Sequence, residues 1–174
     1  MLRSRSVETP DPIEIRPALR EDQARIQALV RGLTPRTRYL RFFNGLRELG
    51  HAWLERFTRA EPRGDFSLLA LARATGAVVG MAQYSADPYP GRADFAVLVA
   101  DGWQGAGIGK RLVSGLLAMA RASGFQRMEA DVLAENRAML QWLQRLGFRV
   151  QRDAGSALFH HASLALPRCD EFQL

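Results

Sequence analysis

One segment constrains this chain more than any other. An apolar, β-favouring run, Ala93–Val99, passes within five residues into Gln104-Gly105-Ala106-Gly107-Ile108-Gly109-Lys110 and then into an amphipathic helix. Glycines let a backbone turn tightly and approach a ligand without Cβ obstruction. A helix beginning there presents unpaired N–H groups at the positive end of its dipole. Together these make an anion site suited to a phosphate or pyrophosphate. Two familiar glycine loops fail on spacing. A Walker A loop needs glycine where Gln104 stands and Ser or Thr where Arg111 stands. A dinucleotide fingerprint needs glycine at Lys110 or Leu112, and it normally follows the first strand of its unit.

Periodicity supplies the rest of the architecture. Ile13–Ala18 alternates as a first strand, and Asp22 is placed to cap a helix running to Gly32, with Ile26, Leu29 and Val30 inward. Thr34-Pro35 opens a second helix through Phe43, and a third covers about Leu49–Thr58. Phe66–Arg73 and Val78–Tyr84, separated by four residues, read as an antiparallel hairpin. Ala93–Val99 reads as a central strand buried on both faces. After the glycine loop, Ile108, Leu112, Val113, Leu116, Leu117 and Ala120 share one helix face. A strand at Met128–Leu133, a helix at Glu135–Leu146 stopped by Gly147, and strands at Phe148–Val150 and Ala157–Leu166 complete the set. The predicted fold is α/β: a mixed, mostly antiparallel six- to seven-stranded sheet with helices on both faces. One domain spans 13–168, between a disordered leader at 1–12 and a tail at 169–174.

Gln-x-x-Gly-x-Gly after a Val-x-Val strand resembles the acetyl-CoA signature of the GNAT superfamily of N-acetyltransferases. Asp131–Phe148, ending in Leu-Gly-Phe, looks like that family's later strand and helix. A narrower similarity, to the Pat-type protein lysine acetyltransferases, lies in Leu33-Thr34-Pro35-Arg36-Thr37-Arg38-Tyr39-Leu40-Arg41-Phe42-Phe43, Asp94–Val99 and Val132–Met139. The resemblance implies the acyl-CoA N-acyltransferase fold and acetyl-CoA as co-substrate, with no metal. It places the cofactor on Val97, Leu98, Val99, Gln104, Gly105, Ala106, Gly107, Ile108, Gly109 and Lys110, and on Asn136 and Met139 at the later helix. Asn136 is also a good helix N-cap. Tyr39, Phe42 and Phe43, at helical spacing, read as core.

The implied reaction is direct attack of a neutral amine on the thioester. A carboxylate beside the cleft would take the amine proton. Asp94, ten residues before Gln104, stands where Pat-like enzymes carry a glutamate, and Glu129 and Asp131 are in reserve. Main-chain N–H groups at Val97–Val99 would face the acetyl oxygen. Many relatives place a tyrosine acid in the last helix, but Leu143 occupies that position. The acceptor reads as a protein lysine, with a small-molecule amine as the alternative. A non-catalytic acyl-CoA sensor is a third reading. A homodimer through the last strands is compatible with such folds.

Composition removes other classes. Lys110 is the only lysine among 24 basic residues, and the arginines are spread out, with one modest cluster at Arg36, Arg38 and Arg41. Nucleic-acid readers carry clustered basic runs interleaved with aromatics, so no nucleic-acid partner is expected. No apolar run reaches membrane-spanning length, and none is expected to engage a membrane. Cys169 is the sole cysteine, which excludes a disulfide framework and suits a reducing cytoplasm. His51, His160 and His161 show no metal-ligand spacing. The last two read as adjacent residues of an edge strand, facing opposite ways.

Overall fold

The short apolar runs assemble into one sheet whose inner strands bury side chains on both faces. The computed structural model describes residues 12–167. The expected tail, and all of the expected leader but Pro12, lie outside them. Seven strands are ordered β1-β2-β3-β4-β5-β7-β6. They are β1 (Ile13–Pro17), β2 (Asp65–Ala72), β3 (Val78–Ala86), β4 (Arg92–Val99), β5 (Arg127–Leu133), β6 (Arg149–Arg152) and β7 (Phe159–Ala165). Neighbours are antiparallel except β4 and β5, which are parallel. A parallel pair needs a long crossover, and α4 (Ile108–Ala122) provides it. The remaining helices are α1 (Gln23–Gly32), α2 (Pro35–Phe42), α3 (His51–Phe57) and α5 (Arg137–Arg145).

Two cores lie on opposite faces. On one, Leu112, Leu116 and Ala120 of α4 and Leu140 and Leu143 of α5 pack on Leu68, Tyr84, Phe95, Met128 and Val132. The contact is close because β3 carries Gly80. A Cβ there would lie 3.1 Å from Leu112 Cδ1 and 3.3 Å from Ile108 Cγ2. On the other face, Ile26, Leu29 and Val30 of α1 and Phe57 of α3 cover Leu69, Leu71, Met81 and Leu98. Phe42 of α2 joins the margin of that core.

Four expectations need correction. β4 is not buried on both faces: Asp94 is exposed and Ala96, Val97 and Val99 are half-buried. The cause is that β4 pairs with β5 only from Arg92 to Asp94. β7 is not an edge strand, since it lies between β5 and β6. Tyr39 and Phe43 are 37% and 43% exposed, so of the three α2 aromatics only Phe42 joins a core. Finally, Asp22 precedes α1 without capping it through its side chain. Its buried carboxylate instead accepts from Leu19 N (2.9 Å), both ends of the Arg16 guanidinium (2.7 and 2.9 Å) and Arg25 (3.0 Å). The Arg16 pairing holds that carboxyl far below the usual range, against the opposing effect of burial.

Candidate active site

The separation of β4 from β5 after Asp94 leaves a gap in the middle of the sheet. Main-chain polarity shows what faces it. Asp87 N donates to Arg92 O, and Ala100 N donates to Val79 O, so even-numbered residues of β4 turn their N–H and C=O toward β3. By the period of two, Val97 and Val99 turn theirs toward the gap. Val99 O accepts from Gln104 Nε2 at 3.1 Å, which fixes the start of the glycine loop against the strand. Leu98, between them, pairs with Met81 of β3 and buries its side chain under the α1–α3 layer.

A short 3-10 turn, Asp101–Trp103, carries the chain out of β4. Gly105 and Gly107 then take φ of +80° and +79°, a backbone that side-chain-bearing residues rarely adopt. Gly107 is the residue before α4, and no side chain caps that helix. Its first amides therefore stay available at the mouth of the gap, beside exposed Gln104, Ala106 and Lys110. Ile108 is buried in the core and can offer only its main chain. Gly109 brings the helix start to the ring of Trp142, 3.6 Å from where a Cβ would stand.

On the other side of the gap, Asn136 Oδ1 caps α5 by accepting from Met139 N at 3.3 Å. The cap uses only the carbonyl half of the amide, so the Nδ2 donors are not consumed by it. Met139 is half-buried against the core. Leu143 is 1% exposed in that core and presents nothing to the gap.

Asp94, Ala96 and Leu98 share the opposite face of β4. Asp94 stands in register with Ser85 of β3 and Glu129 of β5. Although the residue is exposed overall, partial desolvation raises the Asp94 carboxyl above its ordinary range. The negative charges of Asp87, Asp131 and Glu129 add to the rise, and His161 opposes it. Glu129 is buried, 3.8 Å from His161 Nε2, and Asp131 Oδ1 lies 3.0 Å from His161 Nδ1. His161 thus belongs to the site's margin, which the sequence reading missed. The available signal was the alternation of β7, which puts His161 and Ser163 opposite Asp131 and Glu129. Among the described residues, no group of three His, Cys, Asp or Glu is placed to hold a metal ion.

α2 lies over this face. Its N-cap Thr34 donates from N and Oγ1 to Asp101 (both 3.0 Å), and Thr37 Oγ1 donates to the same carboxylate at 2.6 Å. Burial would raise Asp101, but these hydrogen bonds win and hold it below the ordinary value. Arg36 pairs with Glu135, just beyond β5, at 2.8 Å. The start of α2 is thereby tied to the chain just past both strands that border the gap. Phe43, past its end, meets Phe159 of β7 edge-on, with centroids 5.0 Å apart.

A sheet split between parallel strands, with a glycine loop and helix start at the split and a carboxylate on the adjoining face, defines an acyltransfer scaffold. The sequence model of the Acetyltransferase (GNAT) family matches residues 33–148, and the chain belongs to that family. Its relatives include Acetyltransferase PA5475 of Pseudomonas aeruginosa, 34% identical over 80% of this chain and 76% of that one. The fold is similar to that of the GNAT domain of S. lividans PAT (TM-score 0.81, 23% identity, 88% of this chain and 90% of that one). It is also similar to that of a phosphinothricin acetyltransferase from Sinorhizobium meliloti in complex with AcCoA (TM-score 0.73, 23% identity, 88% of each chain).

Proposed function

We propose that this chain transfers an acetyl group from acetyl-CoA to a primary amine, with the thioester held in the β4–β5 gap. The observation that carries this reading is the end of β4–β5 pairing at Asp94, after which β4 continues alone to Val99 and then turns into the glycine loop. Amides of Gly107–Lys110, at the start of a 15-residue helix, suit a diphosphate. The open space around Gly105 and Gly107, where a Cβ would meet nothing within 4 Å, fits close approach of such a group. Gap-facing N–H groups of Val97 and Val99 suit the amides of an extended arm and the acetyl oxygen. Asn136 Nδ2 suits the same arm from the α5 side. Acetyl-CoA accords with the cofactor in the S. meliloti neighbour.

In this reading Asp94 takes the amine proton. The amine nitrogen forms a bond to the acetyl carbon, the carbon–sulfur bond breaks, and the sulfur leaves with the electron pair. Main-chain N–H groups of β4 stabilise the charge that develops on oxygen. Leu143 offers no proton, so the thiolate takes one from water at the mouth of the gap. The acceptor is a small-molecule amine bound beneath α2. Exposed Tyr39, Phe43 and Trp53 favour a second reading, in which a lysine-bearing peptide lies across α2.

Titration calorimetry with CoA, followed by mass spectrometry of a panel of amines and lysine peptides with acetyl-CoA, tests the proposal. Binding that Gly107→Trp abolishes, together with acetylated product, is the expected result. No heat with CoA at millimolar concentration overturns it. Binding without transfer to any amine leaves an acyl-CoA sensor.

A further inference from the structure

We infer that His161, held by Asp131, is a second proton acceptor in the transfer site. It discharges the arriving ammonium, and Asp94 takes the proton released after attack. The inference rests on the transfer reaction proposed above and supplies a step that this reaction needs. An alkyl amine, like a lysine side chain with its pKa of about 10.4, is an ammonium at neutral pH and has no lone pair to attack with. Its nitrogen must shed two protons per turnover, one before the carbon–nitrogen bond forms and one after. The departing sulfur recovers one from water, so one proton passes to solvent overall. Asp94 alone would have to release the first before it could take the second.

The geometry around His161 suits the first transfer. β5 and β7 pair antiparallel, with Asp131 opposite His161 and Glu129 opposite Ser163. His161 Nδ1 lies 3.0 Å from Asp131 Oδ1. A carboxylate only accepts, so Nδ1 carries the ring proton and Nε2 of the neutral imidazole keeps its lone pair. Nε2 is on the Glu129 side, 3.8 Å from Oε2. That exceeds hydrogen-bond length, so the lone pair stays free. Glu129 in turn stands in register with Asp94 of β4. The order across this face is thus Asp94, Glu129, His161 and Asp131, and Asp131 belongs to the stretch of β5 that β4 has left.

The charges nearby favour arrival of a cation. Glu129 is buried, and Arg92 and Arg127 meet it only at 4.0 and 3.8 Å. From β6 the residue opposite His161 is Gln151, which brings no charge. Asp94 is near enough that His161 opposes the rise of its carboxyl. The carboxylates therefore draw an ammonium to the spot where a free imidazole nitrogen can discharge it. The His161 side chain is 39% exposed, so the ring can pass its proton to water after each turnover. A histidine held through Nδ1 by a carboxylate has its tautomer and orientation fixed for this task.

The test measures kcat/KM for an alkyl amine across a pH series, and for an acyl hydrazide, whose attacking nitrogen is already neutral. At neutral pH, His161→Gln should lower the alkyl amine value by on the order of 100-fold, the low end for a lost proton acceptor. The deficit should shrink as pH rises toward the amine's own pKa, where solution supplies the neutral form. On the hydrazide the loss should be about ten times smaller, since only the Asp94 step remains. Asp131→Asn, whose amide can offer N–H as readily as oxygen to Nδ1, should reproduce part of the alkyl amine loss. Imidazole added to His161→Ala should restore part of the rate. An equal loss at every pH and on both acceptors, with or without a lower melting temperature, overturns the inference and leaves the transfer reaction standing. So does an alkyl amine rate that His161→Gln does not change. Failure of the wild type to acetylate any amine while CoA still binds removes the transfer reading itself.

Discussion

The two faces of this sheet are built by different rules. Under α4 and α5 the sheet is dry and tightly fitted, with Leu112 and Leu116 fully buried and helix and strand brought together at Gly80. Under α1, α2 and α3 the apolar core ends at Leu98, and beyond it stand Gln83, Asp94, Glu129 and Asp131. Among the described residues, buried polar atoms without a partner are Gln83 Oε1 on this face, Arg41 Nε and Nη2 on α2, and His160 Nδ1, which lies opposite Val132. A native interior rarely leaves such atoms idle unless another molecule completes them. The first face thus fixes the position of the glycine loop and the β4–β5 gap. The second gives up packing to keep charged groups beside that gap.

The largest effect expected from this contrast is at Asp94. Asp94→Asn should lower kcat by on the order of 10²–10⁴-fold, the range for a lost general base. In wild type, activity should fall as pH drops through the Asp94 pKa, and that inflection should lie above the ordinary carboxylate value, since burial and the neighbouring acids raise it. That inflection should vanish in the variant. The stability sign is opposite. A carboxyl whose folded pKa is raised weakens the folded state once pH exceeds the unfolded value, so Asp94→Asn should melt no lower than wild type at neutral pH. A large loss of stability with activity retained would make Asp94 a packing residue and erase the distinction between the faces.

Asp22 is the counter-case on the same face, a carboxylate that is fully paired. Asp22→Ala should cost roughly 3 kcal/mol in chemical denaturation, because it strands Arg16 and frees Leu19 N. The folded pKa is depressed, so the stabilisation is present above the unfolded value. It is lost as pH falls from about 4 through the folded pKa. The stability difference between wild type and variant should therefore shrink in acid.

Much of this division was legible in the sequence. The helix positions Leu112, Val113 and Leu116, the hairpin of β2 and β3 and the glycine loop all follow from local periodicity, which needs no knowledge of neighbours. Burial of β4 was misjudged because a Phe-Ala-Val-Leu-Val run looks the same whether or not a partner strand leaves it halfway. His161 was missed for a related reason. Only the order β5-β7-β6 turns it from a rim residue into a neighbour of Glu129 and Asp131. Arg41 read as one member of a modest basic cluster with Arg36 and Arg38, since arginine spacing on a helix does not reveal which member is buried. Residues whose role depends on what is missing nearby leave no local pattern.

On the fitted face, Gly80→Val should cost about 2 kcal/mol, because the new side chain meets Leu112, Ile108 and Leu98 O at once. Thermal melting reads this directly. A neutral outcome would mean that α4 can move off the sheet, and CoA affinity should then fall as the helix start withdraws from the gap.

The smallest effect comes from Asn136, which stands where the fitted face meets the gap. Asn136→Ala removes the cap on Met139 N and should cost about 1 kcal/mol of stability. Asn136→Ser should restore the cap, since a hydroxyl also accepts from that amide, but it cannot replace the Nδ2 donors. If Asn136 serves only the helix, serine recovers both stability and CoA affinity. If it also faces the bound arm, serine recovers stability alone, and calorimetry with CoA should show a Kd still several-fold weaker than wild type. Stability and affinity that part company in this one variant would make the boundary residue a member of both faces.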